Sequence, residues 1–229
     1  MPARELGTVI VTGGASGLGA AVAQAVADGG GTPVVLDLRP PRDDVAHRIV
    51  DLSDTAAAER AVDDVAAEHG LDGIVTAAGT DACGPLGEVP VEAWERVVAV
   101  NLLGTAAVVR AALPHLRARR GTVVTVASTL GLRAAGDATA YCASKFGIVG
   151  FTRALAMELA GEVGVTLLVP GGMSTAFFDG RPERYRPGPD ARLNDPDDVA
   201  QAVLMALRQP VGCEIRELVV ASSTEPSWP

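Results

Sequence analysis

Residues 8–29 read TVIVTGGASGLGAAVAQAVADG, and this stretch decides the fold. Its first five residues form a short run rich in β-branched side chains, which predicts a buried strand. Glycine then occurs at four of the next eight positions, directly before an alanine-rich run of helical length. A glycine-rich turn brings backbone amides close to a phosphate, and the helix N-terminus adds unpaired N–H groups. The stretch predicts a strand–turn–helix unit that binds a nucleotide phosphate, although any tight turn of this kind can use glycine.

The rest of the chain repeats the alternation of strand and helix. Runs such as VVLDL (34–38), TVVTVA (122–127) and VTLLV (165–169) are almost continuously apolar, as in strands covered on both faces. The predicted strands are Thr8–Thr12, Pro33–Asp37, Arg48–Val50, Gly73–Thr76, Thr122–Ala127, Val165–Val169 and Arg216–Ala221. The predicted helices are 17–29, 55–69, 91–119, 140–160 and 196–208. The pattern predicts a single α/β domain over 1–229, a doubly wound parallel sheet of Rossmann type with helices on both faces.

Composition narrows the possible functions. The 229 residues carry a net charge of -9 without a basic stripe, which argues against nucleic-acid binding. Polar residues such as Asn101 and Arg110 interrupt the most apolar stretch, Val97–Leu113, so we expect no membrane span. Three widely spaced cysteines predict neither a disulfide framework nor a metal site. A strand beginning by Thr8 leaves no room for a signal peptide, and we expect a cytoplasmic protein.

Asp37 ends the second predicted strand, 18 residues beyond Gly19. A carboxylate at this position can accept hydrogen bonds from both hydroxyls of an adenosine ribose and would repel a 2′-phosphate. Ser16, rather than a basic residue, precedes Gly17 in the glycine-rich turn. Both features favour NAD over NADP, while the nearby Arg39 weakens the preference.

Tyr141 and Lys145 lie four residues apart near the start of a predicted helix, and Ser128 follows a predicted strand. Residues at this spacing share a helix face. A tyrosine with a pKa of about 10 transfers protons poorly at neutral pH, and a neighbouring ammonium group lowers that pKa. A Tyr and a Lys at this spacing are common and usually structural, but together with Ser128 they could transfer a proton to or from a substrate oxygen.

Taken together, these motifs resemble the classical short-chain dehydrogenase/reductase family over essentially the whole chain. Ser128 lies 13 residues before Tyr141, which is the family's spacing, and Thr76 stands where the family often has asparagine. The matching motifs, in the family's order, are TGGASGLG (12–19), Asp37, DL (51–52), TAAG (76–79), NLLG (101–104), Ser128, YCASK (141–145), PG (170–171) and Thr175.

The resemblance implies a role for each matching residue. Tyr141 would be the general acid/base, Lys145 would lower its pKa and hold the nicotinamide ribose, and Ser128 would orient the reacting oxygen. Asn101 would hold a water that relays protons from Lys145, or else distort its helix through a bond to the backbone. The residues implied in cofactor binding are Gly13, Ser16, Gly17, Leu18, Gly19, Asp37, Asp51, Leu52, Ala78, Gly79, Tyr141, Lys145, Pro170, Gly171 and Thr175.

The function implied is hydride transfer between NAD(H) and a secondary alcohol or ketone, with hydroxysteroids and 3-hydroxyacyl thioesters as the favoured substrates. A reductase running in the opposite direction, NADP-tolerant and acting on 3-oxoacyl or polyketide carbonyls, is the alternative. A non-catalytic NAD-binding sensor and a sugar-nucleotide epimerase are less favoured. Substrate choice is expected to lie in 171–195, whose aromatic residues could line an apolar pocket and whose arginines could meet an anion.

Oligomer formation is predicted from two helices. Those around 97–113 and 140–160 are apolar on more than one side, which indicates burial against another subunit as well as the sheet. A homotetramer is favoured over a dimer, and Trp228 is expected to pack on a neighbouring subunit.

Overall fold

The computed structural model describes residues 4–42 and 44–227. Seven parallel strands form one sheet in the order β3-β2-β1-β4-β5-β6-β7. The strands are β1 Thr8–Thr12, β2 Thr32–Asp37, β3 His47–Ile49, β4 Gly73–Thr76, β5 Thr122–Val126, β6 Gly164–Pro170 and β7 Glu217–Val220. The predicted fold class, an α/β doubly wound parallel sheet, is confirmed.

Helices cover both faces of the sheet. They are α1 Gly17–Asp28, α2 Thr55–His69, α3 Val91–Val98, α4 Thr105–Arg119, α5 Thr139–Glu158 and α6 Pro196–Leu207. One apolar core lies between the sheet and α1 with α6, and the other between the sheet and α2, α4 and α5. Because successive side chains of a strand point to opposite faces, Ile10 enters the second core while Val9 and Val11 enter the first.

The predicted boundaries agree closely with the structure, with one exception. Every strand begins and ends within one residue of its prediction, but the predicted helix 91–119 is not uniform. A π-helical segment, Ala99–Gly104, separates α3 from α4. Asn101 lies within this segment, as the helix-distorting alternative anticipated, and such segments are frequent at functional sites. Trp228 lies outside the described residues.

The helical stretch Val91–Arg119 is, by length and composition alone, long and apolar enough to cross a membrane. In this fold it packs along one face of the sheet and against α2. Val108, Val109, Ala112 and Leu116 are almost fully buried in the core there. These contacts are those of a core helix, and the absence of a membrane span stays a prediction.

The strand order indicates where on the sheet a ligand-binding site should lie. The chain reverses its direction of winding between β1 and β4, the first strands of the two halves of the sheet. In open α/β sheets, ligands bind at the carboxyl ends of the strands beside such a reversal. The glycine-rich turn follows β1, and the TAAG turn begins with the last residue of β4, so both lie at this edge.

Candidate active site

A cavity of about 1140 Å³ opens at the carboxyl ends of the strands. Its walls come from the turns after β1, β2, β4, β5 and β6, together with α5 and the C-terminal segment. All but one of the sequence-predicted site residues line it. These are Gly13, Ser16, Gly17, Leu18, Gly19, Asp37, Asp51, Leu52, Ala78, Gly79, Ser128, Tyr141, Lys145, Pro170, Gly171 and Thr175. The exception is Asn101, which does not line the cavity.

The turn after β1 requires its glycines. Gly13 has a φ of 72°, and a Cβ on it would lie 2.6 Å from the Cα of Ala78. A Cβ on Gly19 would overlap the carbonyl oxygen of Gly13. The hydroxyl of Thr12 accepts a hydrogen bond from the Ala78 amide at 3.1 Å, which ties the turns after β1 and β4 together. The backbone around the turn is therefore packed so closely that no side chain occupies the cradle.

The start of α1 is open to a ligand. Ser16 precedes the helix and is exposed, and its hydroxyl caps none of the first-turn amides. Thr175 lies beside this turn, because a Cβ on Gly17 would be 3.4 Å from its Cβ. Free amides and a positive helix end fit the pyrophosphate of a dinucleotide. The residues present thus fit a nicotinamide dinucleotide at this end of the cavity.

Asp37, the last residue of β2, lines the cavity beside the glycine-rich turn. One carboxylate oxygen accepts a hydrogen bond from the Ala15 amide at 3.0 Å, and the other accepts one from the Arg39 amide at 3.1 Å. Each oxygen has a second lone pair for a further donor such as a ribose hydroxyl. The carboxylate is therefore fixed by the backbone in a position where it can accept from a ligand.

Asp51 and Leu52, which the resemblance implies in cofactor binding, line the same cavity as Asp37. Hydrogen bonds from the amide and hydroxyl of Ser53 and an ion pair with Arg96 lower the pKa of Asp51. Arg96 also lines the cavity, and sequence reasoning did not identify it. It lies 45 residues from Asp51 along the chain, so local pattern carries no signal of the contact.

Ser128, Tyr141 and Lys145 come together at the other end of the cavity. Ser128 and Tyr141 both line the cavity, and the Ser128 side chain acts on the Tyr141 hydroxyl to lower its pKa. The Lys145 ammonium lies 5.6 Å from the centre of the Tyr141 ring and donates to the Val126 carbonyl oxygen at 2.8 Å. Only 4% of Lys145 is exposed. Gly79 leaves space beside this ammonium, since a Cβ there would be 3.8 Å from Nζ.

Burial controls the protonation of this pair. It raises the pKa of Tyr141 to about 12, against a smaller lowering by the Ser128 side chain. It lowers the pKa of Lys145 to about 8, because the ammonium loses its hydration. The sequence predicted a lowered tyrosine pKa, and that prediction is wrong in this structure. The desolvation of a phenolate here outweighs the effects of Ser128 and Arg181, which lower the pKa.

Asn101 is 1% exposed and does not line the cavity. Its side-chain amide accepts a hydrogen bond from the Thr80 amide and donates to the Thr80 carbonyl and to the Ser144 hydroxyl. Both of its N–H groups are therefore used. Its observed role is to fix the loop after β4 against α5, and its implied role in holding a water stays a prediction.

The segment 171–195 covers the substrate side. The rings of Phe177 and Tyr141 lie 5.6 Å apart, and Met173 and Phe178 also line the cavity. Tyr185 donates to the carboxylate of Asp137 at 2.8 Å and so ties the segment to the loop before α5. Asp81, just after the TAAG turn, makes a 2.6 Å ion pair with Arg181 that sequence reasoning missed.

The C-terminal segment also reaches the cavity, which the sequence did not predict. The carboxylate of Glu225 accepts a hydrogen bond from the Gly172 amide at 2.9 Å. The hydroxyl of Ser227 donates to that of Thr129 at 2.7 Å. The segment thereby joins the loops after β5 and β6.

Comparison with known proteins agrees with this geometry. Residues 7–186 match the family model of the short chain dehydrogenases. The cis-4-hydroxycyclohexanecarboxylate dehydrogenase of Sinomonas cyclohexanicum is 35% identical over 85% of this chain and 86% of its own length. The D-threitol dehydrogenase of Mycolicibacterium smegmatis is 35% identical over 85% of this chain and 83% of its own length.

A solved structure shows the same fold. The alcohol dehydrogenase of Thermococcus sibiricus, complexed with 5-hydroxy-NADP, superposes with a TM-score of 0.82 at 23% identity, over 93% of this chain and 95% of that one. Members of the matched family are oxidoreductases that use a nicotinamide cofactor on alcohols and ketones. The match over most of its length shows that this chain belongs to the short-chain dehydrogenase/reductase family.

Proposed function

We propose that the protein is an NAD-dependent dehydrogenase that oxidises a secondary alcohol to a ketone, with Ser128, Tyr141 and Lys145 as its catalytic residues. The observation that carries this proposal is that the three side chains face the same cavity as the glycine-rich cradle. When bound, the nicotinamide supplies or takes up the hydride.

The remaining steps fall to the protein. Ser128 donates a hydrogen bond to the substrate oxygen and holds it beside the Tyr141 hydroxyl, which exchanges the proton. Lys145 provides positive charge that favours the phenolate, and it is free to hold a ribose hydroxyl on the side open to Gly79. Asn101 keeps the Gly79–Asp81 loop in place.

Asp37 supports NAD as the cofactor. Its carboxylate is held by two backbone amides, so it cannot easily turn away from a 2′-phosphate. Two like charges in contact repel each other, which disfavours NADP. Arg39 lines the same wall and could attract a phosphate, so NADP-dependent carbonyl reduction remains the second candidate.

The proposal is tested by NADH formation over a panel of secondary alcohols, with NAD and NADP compared. The panel includes hydroxysteroids, 3-hydroxyacyl thioesters, cyclitols, polyols and simple alcohols. We expect turnover with NAD that falls at least about 1,000-fold in Tyr141→Phe while NADH binding, measured by fluorescence, is retained. Tight NADH binding without turnover of any alcohol or ketone would instead favour the non-catalytic sensor.

Hydroxysteroids and 3-hydroxyacyl thioesters stay predictions from the sequence. The relatives' names add an alicyclic hydroxy acid and a short polyol to the candidates. The direction of the reaction in the cell depends on cofactor ratios as well as on Asp37.

We also propose that the protein is a cytoplasmic homotetramer. Leu103 of the π-helical segment and Phe146 and Met157 of α5 are 52%, 44% and 82% exposed. Large apolar side chains at this exposure support contact with another subunit. Light scattering should give a tetramer mass for the native protein and a lower mass for Phe146→Glu, and a monomeric native protein would overturn this part.

A further inference from the structure

Asp81 and Arg181 form an ion pair at the substrate side of the cavity. The contact between Nη2 of Arg181 and Oδ2 of Asp81 is 2.6 Å, and the two side chains are only 17% and 7% exposed. Both residues line the cavity, and both act electrostatically on Tyr141. The pair therefore lies close to the position where a substrate oxygen meets the catalytic tyrosine.

Each partner of the pair is held in place. Asp81 follows Thr80, whose backbone is fixed by Asn101, and its carboxylate accepts hydrogen bonds from the Ala82 amide and the Cys83 thiol. The guanidinium carbon of Arg181 lies 4.7 Å from the ring centres of both Phe177 and Phe178. The aromatic rings cover the guanidinium, so its donors are directed along its edges.

Stability does not account for this pair. Removing two charges from water opposes folding, and a buried ion pair compensates only when its hydrogen bonds are complete. Here the Nε–H of Arg181 is buried and has no acceptor. An unpaired buried donor is costly, and a ligand oxygen that arrives as the covering segment closes would satisfy it.

The charges of this region favour a neutral ligand. Three carboxylates, those of Asp81, Asp179 and Glu225, line the substrate side and its rim, against the cations Arg181 and Lys145. Arg181 is already paired, so it has no uncompensated charge to offer an anion. Paired carboxylate and guanidinium groups instead provide an acceptor and a donor side by side, which matches a hydroxyl group.

We propose that Asp81 and Arg181 determine substrate specificity by binding a second oxygen of the substrate. The substrate is a neutral polyol or sugar with a hydroxyl next to the reacting alcohol carbon. This inference rests on the proposed dehydrogenase function. Polyols are therefore better candidate substrates than hydroxysteroids or 3-hydroxyacyl thioesters, which in general lack a hydroxyl next to the reacting carbon.

The test compares three alcohols with similar reacting carbons: meso-2,3-butanediol, 2-butanol, which lacks the second hydroxyl, and 3-hydroxybutyrate, which carries an anion. For the native enzyme we expect kcat/KM for the diol to exceed that for each of the others by about 100-fold or more, since buried polar groups left unpaired strongly disfavour the analogue. In Arg181→Met the preference for the diol over 2-butanol should fall below about 10-fold, because kcat/KM falls much more for the diol than for 2-butanol. Arg184→Met, an exposed arginine of the same segment, should keep the native ratio.

Thermal unfolding checks that each variant is folded. Asp81→Asn repeats the comparison of substrates with a variant that keeps the shape of the side chain and so disturbs the packing less. Equal use of the diol and 2-butanol, a preference for 3-hydroxybutyrate, or an unchanged ratio in both folded variants would overturn the specificity proposal while leaving the dehydrogenase intact. Absence of turnover with every alcohol, with NADH still bound, would overturn the proposed function and this inference with it.

Discussion

The side-chain amide of Asn101 forms hydrogen bonds with both the backbone N–H and the backbone carbonyl of Thr80. Its oxygen accepts from the Thr80 amide at 2.8 Å, and its nitrogen donates to the Thr80 carbonyl at 2.9 Å. A third hydrogen bond, to the Ser144 hydroxyl at 3.0 Å, reaches the helix that carries Tyr141 and Lys145. The π-helical segment therefore connects the loop after β4 to α5 through one side chain.

Asn101→Ala should damage both stability and catalysis. It leaves the part-buried Thr80 amide and carbonyl without their partner, at a cost of about 2 kcal/mol in the free energy of unfolding. Because the Gly79–Asp81 loop loses its anchor, kcat/KM should fall about 100-fold. Urea unfolding and steady-state kinetics measure the two effects.

Ser144→Ala is the matched control. It removes the third hydrogen bond of Asn101 and leaves the pair with Thr80 intact, so we expect a loss of about 1 kcal/mol and a much smaller kinetic effect. Equal effects of the two substitutions would show that the Thr80 contact is not what matters.

The fold could be read from the sequence because its signals are local. The glycine-rich turn, the apolar runs of 34–38, 122–127 and 165–169, and the helical spacing of Tyr141 and Lys145 each depend on neighbouring residues. The same locality explains why all predicted cofactor residues line one cavity: parallel strands bring the turns after them to one edge.

Contacts between distant residues could not be read in this way. Arg181 and Asp81 are 100 residues apart, and the tail residues Glu225 and Ser227 reach the site from beyond β7. From the spacing of Tyr141 and Lys145 one expects the ammonium to attract a phenolate and lower the pKa of Tyr141. The raised pKa instead depends on burial, which only the packed structure shows.

Asp37→Ser should relax the choice of cofactor. The substitution removes the negative charge that would face a 2′-phosphate and leaves Arg39 nearby to attract it. We expect the native protein to bind NADH at least about 50-fold more tightly than NADPH, and the variant to lose most of that ratio. Fluorescence titration measures both dissociation constants.

The double variant Asp37→Ser/Arg39→Ala separates repulsion from attraction. If Arg39 attracts the phosphate, the double variant should bind NADPH more weakly than the single variant does. A native protein that binds both cofactors equally would contradict the role given to Asp37.

The rate of alcohol oxidation should rise with pH. Oxidation requires Tyr141 to accept a proton, and burial raises its pKa to about 12, so the reactive phenolate grows as pH increases from neutral. Ketone reduction requires the protonated phenol and should not rise in the same range. The measurement is kcat/KM in both directions between pH 6 and 7.5, because Lys145, whose charge favours the phenolate, has a pKa of about 8 and is deprotonated at higher pH.

Cofactor affinity over the same pH range is the control, because weaker NAD binding would distort the profile. An oxidation rate that is constant or falls between pH 6 and 7.5 would contradict proton transfer to Tyr141 as the step that limits catalysis.

Lys145→Met should inactivate the enzyme and stabilise it at neutral pH. Lys145 has a pKa of about 8 in the fold, against 10.5 for an ordinary lysine. The unfolded chain therefore holds more protons between these two values, so stability rises with pH through that window, and below about pH 8 the folded state bears the whole cost of the buried charge. That cost is roughly 3 kcal/mol, from which about 1 kcal/mol is subtracted for the lost hydrogen bond to Val126. The variant should thus be about 2 kcal/mol more stable than the native protein at pH 7, and the difference should disappear near pH 10.

Urea unfolding at several pH values tests this, with Lys145→Arg as the matched control, because arginine keeps its charge at every pH used and should gain nothing from a rise to pH 10. Lys145 is also the only lysine in the chain, so NMR of lysine-labelled protein titrates it directly. An ordinary lysine pKa in that titration, or a Lys145→Met variant that is less stable at pH 7, would show that the ammonium is better solvated than its 4% exposure implies.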